Sequence, residues 1–309
     1  MSLDKKSPDL NGISPISSVT TDPSTLSTFQ VLPKIFQEGI LFIASGPALL
    51  LQAAQPGLNH AATTDTSTNA HTNTNLSKDL TTPLHSTLAY IACLLFGTQA
   101  EKEALVGRLR LGQPPLAPHA AAGGITSSTG SPIQVTASRD SNAQLWMLAT
   151  IYATATDVYQ RIYGEFDYRT SEKAYAEFAL LLPYLSLHSS GLPPGLWPST
   201  RAEFWRYWDD QMRGLVVSGE ARKFADELMS RRDLPRGVGS LRPVLRAVTV
   251  EMLPAAIRDG YGLKSTAGTR GVYRTAMGFS VAVWPALPRG VRAYPVNSYV
   301  KEVKRCLEV

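Results

Sequence analysis

The chain has only two cysteines, Cys93 and Cys306, among 309 residues. They form no CxxC pair and no metal-ligand spacing, which argues against a disulfide framework or a thiolate zinc site and for free thiols in a reducing compartment. Histidine is also scarce: His60, His71, His85, His119 and His188 are the full set. No His/carboxylate cluster has the spacing of zinc or non-haem iron. There is no Gly-rich phosphate loop, no GxSxG elbow and no kinase signature, so those nucleotide and hydrolase chemistries are set aside. The N-terminus has Asp4, Lys5 and Lys6, then Ser/Thr/Pro-rich sequence with no apolar core, unlike a secretory signal. Residues 39–54 are the one candidate membrane span. Their apolar part is shorter than the ~20 residues a span needs and contains Gly46, Pro47 and Gln52, so a buried central helix is the reading. The net charge is +5, but Lys and Arg are spread along the chain. With no basic stripe interleaved with aromatics, no nucleic-acid partner is expected. A mildly basic surface suits anionic lipid, so peripheral membrane contact stays among the expected partners. The expected location is the cytoplasm, with the ER membrane surface as an option.

What is present is a helical pattern. Hydrophobic residues make up 44 %, enough for a sizeable core. Period-2 alternation is rare and no internal repeat occurs, so the predicted class is all-α with one multi-helix domain. Residues 1–27 read as a disordered polar tail and 28–309 as the helical domain. Residues 63–82 and 114–138 read as irregular polar or Pro/Gly-rich loops. Leu84, Leu88, Ile91 and Leu95 have helical spacing. Thr98/Glu101 and Thr200/Glu203 are capping boxes, and Asp140 or Ser141 can open a long helix that Gly164 stops. Further helices are predicted over 171–187, from Ser218 to about Met229, over 241–261, over 270–283 and near 298–307.

Four sequence blocks add family information. The first is Gly46-Pro47-Ala48-Leu49-Leu50-Leu51-Gln52-Ala53-Ala54-Gln55-Pro56-Gly57. The second is Leu84-His85-Ser86-Thr87-Leu88-Ala89-Tyr90-Ile91, followed by Phe96-Gly97-Thr98. The third is Gln144-Leu145-Trp146 with Ala149-Thr150, then Tyr163-Gly164. The fourth is Trp197-Pro198 with Phe204-Trp205-Tyr207-Trp208, and Leu253-Pro254, Ile257-Arg258 and Tyr261-Gly262 follow it. In order and spacing they resemble the rubber-oxygenase family, which includes the fungal mpaB-type oxygenases, from about Phe36 to the C-terminus. The resemblance implies a haem-b oxygenase with a globin-like helical core that uses O₂ on an apolar substrate. That substrate is polyisoprene in rubber oxygenases and a prenyl side chain of a polyketide in the mpaB type. It also implies an axial His on the central helix, where this chain has Leu148. Thr87 matches the distal Thr of rubber oxygenases, whereas Pro83 and Ser86 stand where Arg and Lys would be.

Candidate site residues follow from both lines. His60, His85, Thr87 and Tyr90 are the candidates for catalysis, since His is the usual neutral-pH acid/base and haem ligand. Gln55, Trp146, Leu148 and Thr150 are the candidates around a cofactor. The bland alternatives are a hydrogen-bonded His, a core Trp, and a helical Thr bonded to its own preceding turn. Gln55 must find a partner or cost about 1–3 kcal/mol, by facing a pocket or by capping its helix. Two readings stay open. One is an oxygenase-type enzyme acting on a prenylated or polyketide small molecule, with haem b held through His60 or His85. The other is a haem-free pocket of the same fold, working as a cofactor-independent cyclase, isomerase or apolar-ligand binder.

Overall fold

Local chemistry sets most helix ends in this chain. A computed structural model describes residues 23–56, 76–111, 113, 115, 116, 141–185, 192, 193, 195–230 and 241–307. The helices run α1 (Leu32–Phe36), α2 (Ser45–Ala53), α3 (Leu76–Phe96), α4 (Gln99–Arg110), α5 (Ser141–Tyr163), α6 (Tyr168–Leu181) and α7 (Arg201–Gly214). Then come α8 (Gly219–Ser230), α9 (Arg242–Met252), α10 (Ala255–Gly260), α11 (Ala267–Val283), α12 (Arg289–Arg292) and α13 (Tyr294–Leu307). Short 3-10 turns cover Pro23–Thr28, Gly39–Ala44, Leu182–Tyr184 and Trp284–Ala286. No strand occurs among the described residues, and the helices form one all-α domain.

Both capping boxes form. Thr98 accepts the Glu101 amide at 3.3 Å, and Glu101 accepts the Thr98 amide at 2.8 Å. Thr200 and Glu203 repeat the arrangement on α7. Ser218 accepts the Ala221 amide at 3.1 Å and opens α8. Gly164 ends α5 at φ +96°, a left-handed conformation that favours glycine.

Several boundaries differ from expectation. The central apolar run is not one helix: a 3-10 turn over Gly39–Ala44 leads into α2, and Pro47 falls in the first turn, where its missing N–H would have no helical acceptor. A Cβ at Gly46 would collide with the Thr249 hydroxyl, so glycine lets α2 pack closely on α9. No helix among the described residues is long and apolar enough to cross a membrane. Residues 76–82, expected in a loop, are the first turns of α3, which carries Pro83 inside it. The helix predicted over 241–261 breaks at Leu253-Pro254, because the residue before a proline is pushed out of the helical region; Leu253 has ψ 138°. α6 starts at Tyr168, where Asp167 accepts the Thr170 amide at 2.7 Å. α11 and α13 begin at Ala267 and Tyr294, earlier than expected. At the N-terminal side Leu26 is buried in the 3-10 turn over Pro23–Thr28, so the packed unit reaches into the segment expected to be a tail. The rest of that segment, most of both polar loops, and His60, His71, His119 and His188 lie outside the described residues.

α5 runs through the core. Every residue from Ala143 to Ala153 is buried, the pattern of a helix with neighbours on all sides. On one side an aromatic cluster joins it to α6 and α7: the Phe204 ring stands edge-on to Tyr152 at 5.0 Å and tilts against Trp197 at 5.3 Å. Glu177, buried in the middle of α6, accepts the backbone amides of Gln30, Val31 and Leu32 at 2.7, 2.9 and 2.7 Å. It acts as the cap of α1, whose own flanking residue, Val31, supplies none.

Candidate functional site

The centre of α5 faces α2 and α3, and four of the eight residues singled out from sequence meet there. Trp146 is fully buried; its Nε1 donates to the Leu51 carbonyl at 3.1 Å and its ring stacks on Trp208 at 5.0 Å. Thr150 donates to the Met147 carbonyl at 2.7 Å and accepts from Gln52 Nε2 at 2.8 Å. Thr87 of α3 is fully buried, and its hydroxyl rests 3.9 Å from the Met147 sulfur. Leu148 is 1 % exposed and packed in the main core. These groups are brought together, but as a closed and internally satisfied contact between three helices.

The other α3 candidates diverge from this point. Tyr90 is buried and accepts the Leu116 amide at 3.1 Å; burial pushes its phenol up to about 12. His85 lies two residues before Thr87, and two residues along a helix point to nearly opposite faces. Its ring is on the outside, edge-on to Tyr299 at 4.9 Å, with Nε2 3.1 Å from the Glu302 carboxylate on α13. His85 and Thr87 therefore do not line one cavity.

A haem between these helices requires a strong axial donor and a slot for the macrocycle. Leu148 presents only carbon, Thr87 closes onto Met147, and His85 points away from the core. The described residues at this level do not fit the group.

Two concavities adjoin the centre. The first, of 390 Å³, opens where α2 ends, between the start of α5 and the end of α7. Gln55 lines it, 6 % exposed, with its Oε1 finding no hydrogen-bond partner among the described residues. Asn142, Tyr207 and Asp210 add polar groups; burial pushes the Tyr207 phenol up to about 12.

The second is a hollow of 60 Å³ lined mainly by hydrocarbon and aromatic groups. Its wall includes Leu84 and Leu88 of α3, Ile151 and Ala155 of α5, Phe42, and Tyr299 of α13. Ile151 follows Leu148 by three residues, so the hollow begins about one turn along the same face of α5. Glu38 also borders it. That carboxylate is 2 % exposed and accepts from Tyr163 Oη at 2.7 Å, Trp284 Nε1 at 2.8 Å and Arg292 at 2.9 Å. Burial, and then the bond to Glu38, push the Tyr163 phenol up to about 12. Glu38 was missed from sequence. The available signal was an acid set directly before the apolar run that starts at Gly39, where a buried charge has to find partners.

Comparisons with known proteins agree with this helical frame. Residues 34–282 match the family described as ER-bound oxygenase mpaB/B'/Rubber oxygenase, catalytic domain. Two uncharacterized mycobacterial proteins, Mb2261 of Mycobacterium bovis and Rv2237 of Mycobacterium tuberculosis, are each 25 % identical over 150 residues. The aligned region is 48 % of this chain and 53 % of each relative, so the chain spans about half the length of the curated relatives it matches. No solved structure matches. With most of its length inside the matched region, the chain belongs to the mpaB/rubber oxygenase catalytic-domain family.

Proposed function

We propose that this protein is an oxygenase-type enzyme acting on an apolar small molecule of a prenylated or polyketide kind, whose slender end enters the hollow beside Ile151. The family supports the reaction class. The observation that carries the substrate class is the hollow's lining, hydrocarbon and aromatic side chains from α3, α5 and α13. Its size limits what can enter. An apolar cavity of about 150 Å³ takes benzene, roughly 25 Å³ for each heavy atom, so 60 Å³ admits two or three heavy atoms, the branched tip of a prenyl chain. Pockets for whole drug-sized ligands begin near ~300 Å³, so the remainder of such a substrate has to lie outside the hollow.

A second reading keeps the pocket and drops the haem, leaving a cofactor-independent cyclase, isomerase or binder. Leu148 favours it, because it fills the axial position with a packed apolar side chain. In either reading Glu38, held by three donors and paired with Arg292, places a fixed polar group at the hollow's edge.

The test is to fill the hollow. Ile151→Phe adds about three heavy atoms to its wall. Binding of a prenylated phenol, followed by calorimetry, is expected to weaken at least tenfold while the helical circular-dichroism spectrum is unchanged. Unaltered binding in Ile151→Phe would remove the hollow from the substrate's path. Absorption spectra of protein made with haem supply separate the two readings: a stoichiometric Soret band supports haem-dependent oxygenation, and turnover without one supports the second.

A further inference from the structure

α11 is 17 residues long and has no buried residue. Its sequence is nevertheless apolar, and Val272, Phe279 and Val281 are 38 %, 65 % and 45 % exposed. Val291 of α12 and Tyr294 at the start of α13 are 54 % and 73 % exposed. Five of the ten exposed large hydrophobics among the described residues thus fall in this one stretch of chain, where a scattering of single exposures would be ordinary. The outward side of α11 is otherwise small: Gly271, Thr275, Gly278 and Ala282 are exposed there and leave Phe279 standing proud.

The charge of the same stretch is one-sided. From residue 260 to residue 301 there is no Asp or Glu, but there are Lys264, Arg270, Arg274, Arg289, Arg292 and Lys301. These six cations exceed the whole chain's net charge of +5, so the rest of the chain sums to −1. Arg292 is committed to Glu38, while the other five are exposed. The acids of the elements packed behind α11 are occupied. Glu251 accepts from Ser265 and Thr269 and lies 3.8 Å from Arg258, and Asp157 pairs with Arg161 at 2.8 Å.

Exposed apolar side chains among cations, with no acid between them, match the boundary of an anionic bilayer. Val272 and Phe279, seven residues apart on one side of α11, can enter the headgroup–acyl border while the long Lys and Arg side chains flanking them meet lipid phosphates and carboxylates. A second copy of this chain fits the face poorly, since a two-fold contact would set five exposed cations against the same five. A nucleic acid would meet the cations and leave the apolar side chains unused. We propose that α11, together with α12 and the start of α13, is a docking surface for anionic lipid membranes. This proposal does not depend on the reading of the hollow.

Co-sedimentation of the full chain with vesicles tests it. Binding to phosphatidylcholine vesicles containing phosphatidylserine is expected to exceed binding to pure phosphatidylcholine at least tenfold, and to fall as salt is raised. Phe279→Glu, and separately Arg274→Glu with Arg289→Glu, should each lower the partition coefficient at least tenfold. Leu111→Glu, at an exposed leucine elsewhere, should leave it unchanged, and circular dichroism checks the fold of each variant. Equal binding to neutral and anionic vesicles, no binding, or variants that bind like the parent would each overturn the proposal. So would a solution dimer that Phe279→Glu dissociates, because the face would then belong to a second copy.

Discussion

Replacing Glu38 by alanine is expected to destabilise the protein by about 3–5 kcal/mol, the range for removing one partner of a buried ion pair. Three donors converge on this carboxylate from distant parts of the chain: Tyr163 at the end of α5, Trp284 after α11, and Arg292 in α12. The Arg292 side chain is 15 % exposed and its Nε finds no partner among the described residues. Without Glu38 the guanidinium keeps only the Tyr163 hydroxyl, and the indole N–H loses its acceptor. Glu38→Gln retains an acceptor but not the charge, so a smaller loss of roughly 1–3 kcal/mol is expected. Guanidinium unfolding measures both, as a lower midpoint at unchanged slope. Glu38→Ala combined with Arg292→Met should recover part of the loss, since replacing both members of a buried pair leaves no stranded charge. A Glu38→Ala midpoint equal to the parent's would mean that the network contributes nothing net.

Leu148→His, which places here the axial histidine that the family resemblance implies, is expected to bind no haem and to lose about 3–5 kcal/mol of stability. The leucine is 1 % exposed, and full burial of such a side chain contributes about 1.5–3 kcal/mol. The imidazole would bring two ring nitrogens into a core where the neighbouring polar groups are already paired, Thr150 with Gln52 and Trp146 with Leu51. An unpaired buried polar group adds about 1–3 kcal/mol of penalty. Denaturant unfolding gives the stability, and absorption spectra after expression with haem supply give the cofactor content. A stoichiometric Soret band in Leu148→His would show that the contact between Thr87 and Met147 opens to admit a macrocycle, and would sink the closed-core account.

What the sequence disclosed was local. The boxes at Thr98 and Thr200 and the stop at Gly164 were readable because donor and acceptor, or the required backbone geometry, lie within a few residues. The break at Leu253-Pro254 was hidden by apolar spacing that continues on both sides, from Val248 and Val250 to Ile257. At the site, Trp146, Leu148 and Thr150 were set around a cofactor and Thr87 among the catalytic candidates; the packing of α3 on α5 brings Thr87 against Met147, beside them. His85 was grouped with Thr87 by closeness in sequence, but a separation of two residues on a helix puts them on different faces. Glu38 could be suspected from its place before the apolar run, but its partners were beyond reach, lying 125, 246 and 254 residues away. The unpaired oxygen of Gln55 was foreseeable as a question, a buried amide beside a proline, but its answer needed the positions of α5 and α7.

The distant cap on α1 bears on how the chain comes to be ordered. The three amides that open this helix find their acceptor 145 to 147 residues later, in the middle of α6. A five-residue helix without a nearby cap has no means of persisting alone. During synthesis the N-terminal segment therefore emerges long before the carboxylate that holds it, and it stays exchangeable with solvent until α6 has docked. The start of α1 and the middle of α6 should then gain and lose amide protection as one cooperative unit, although nearly half the chain separates them in sequence.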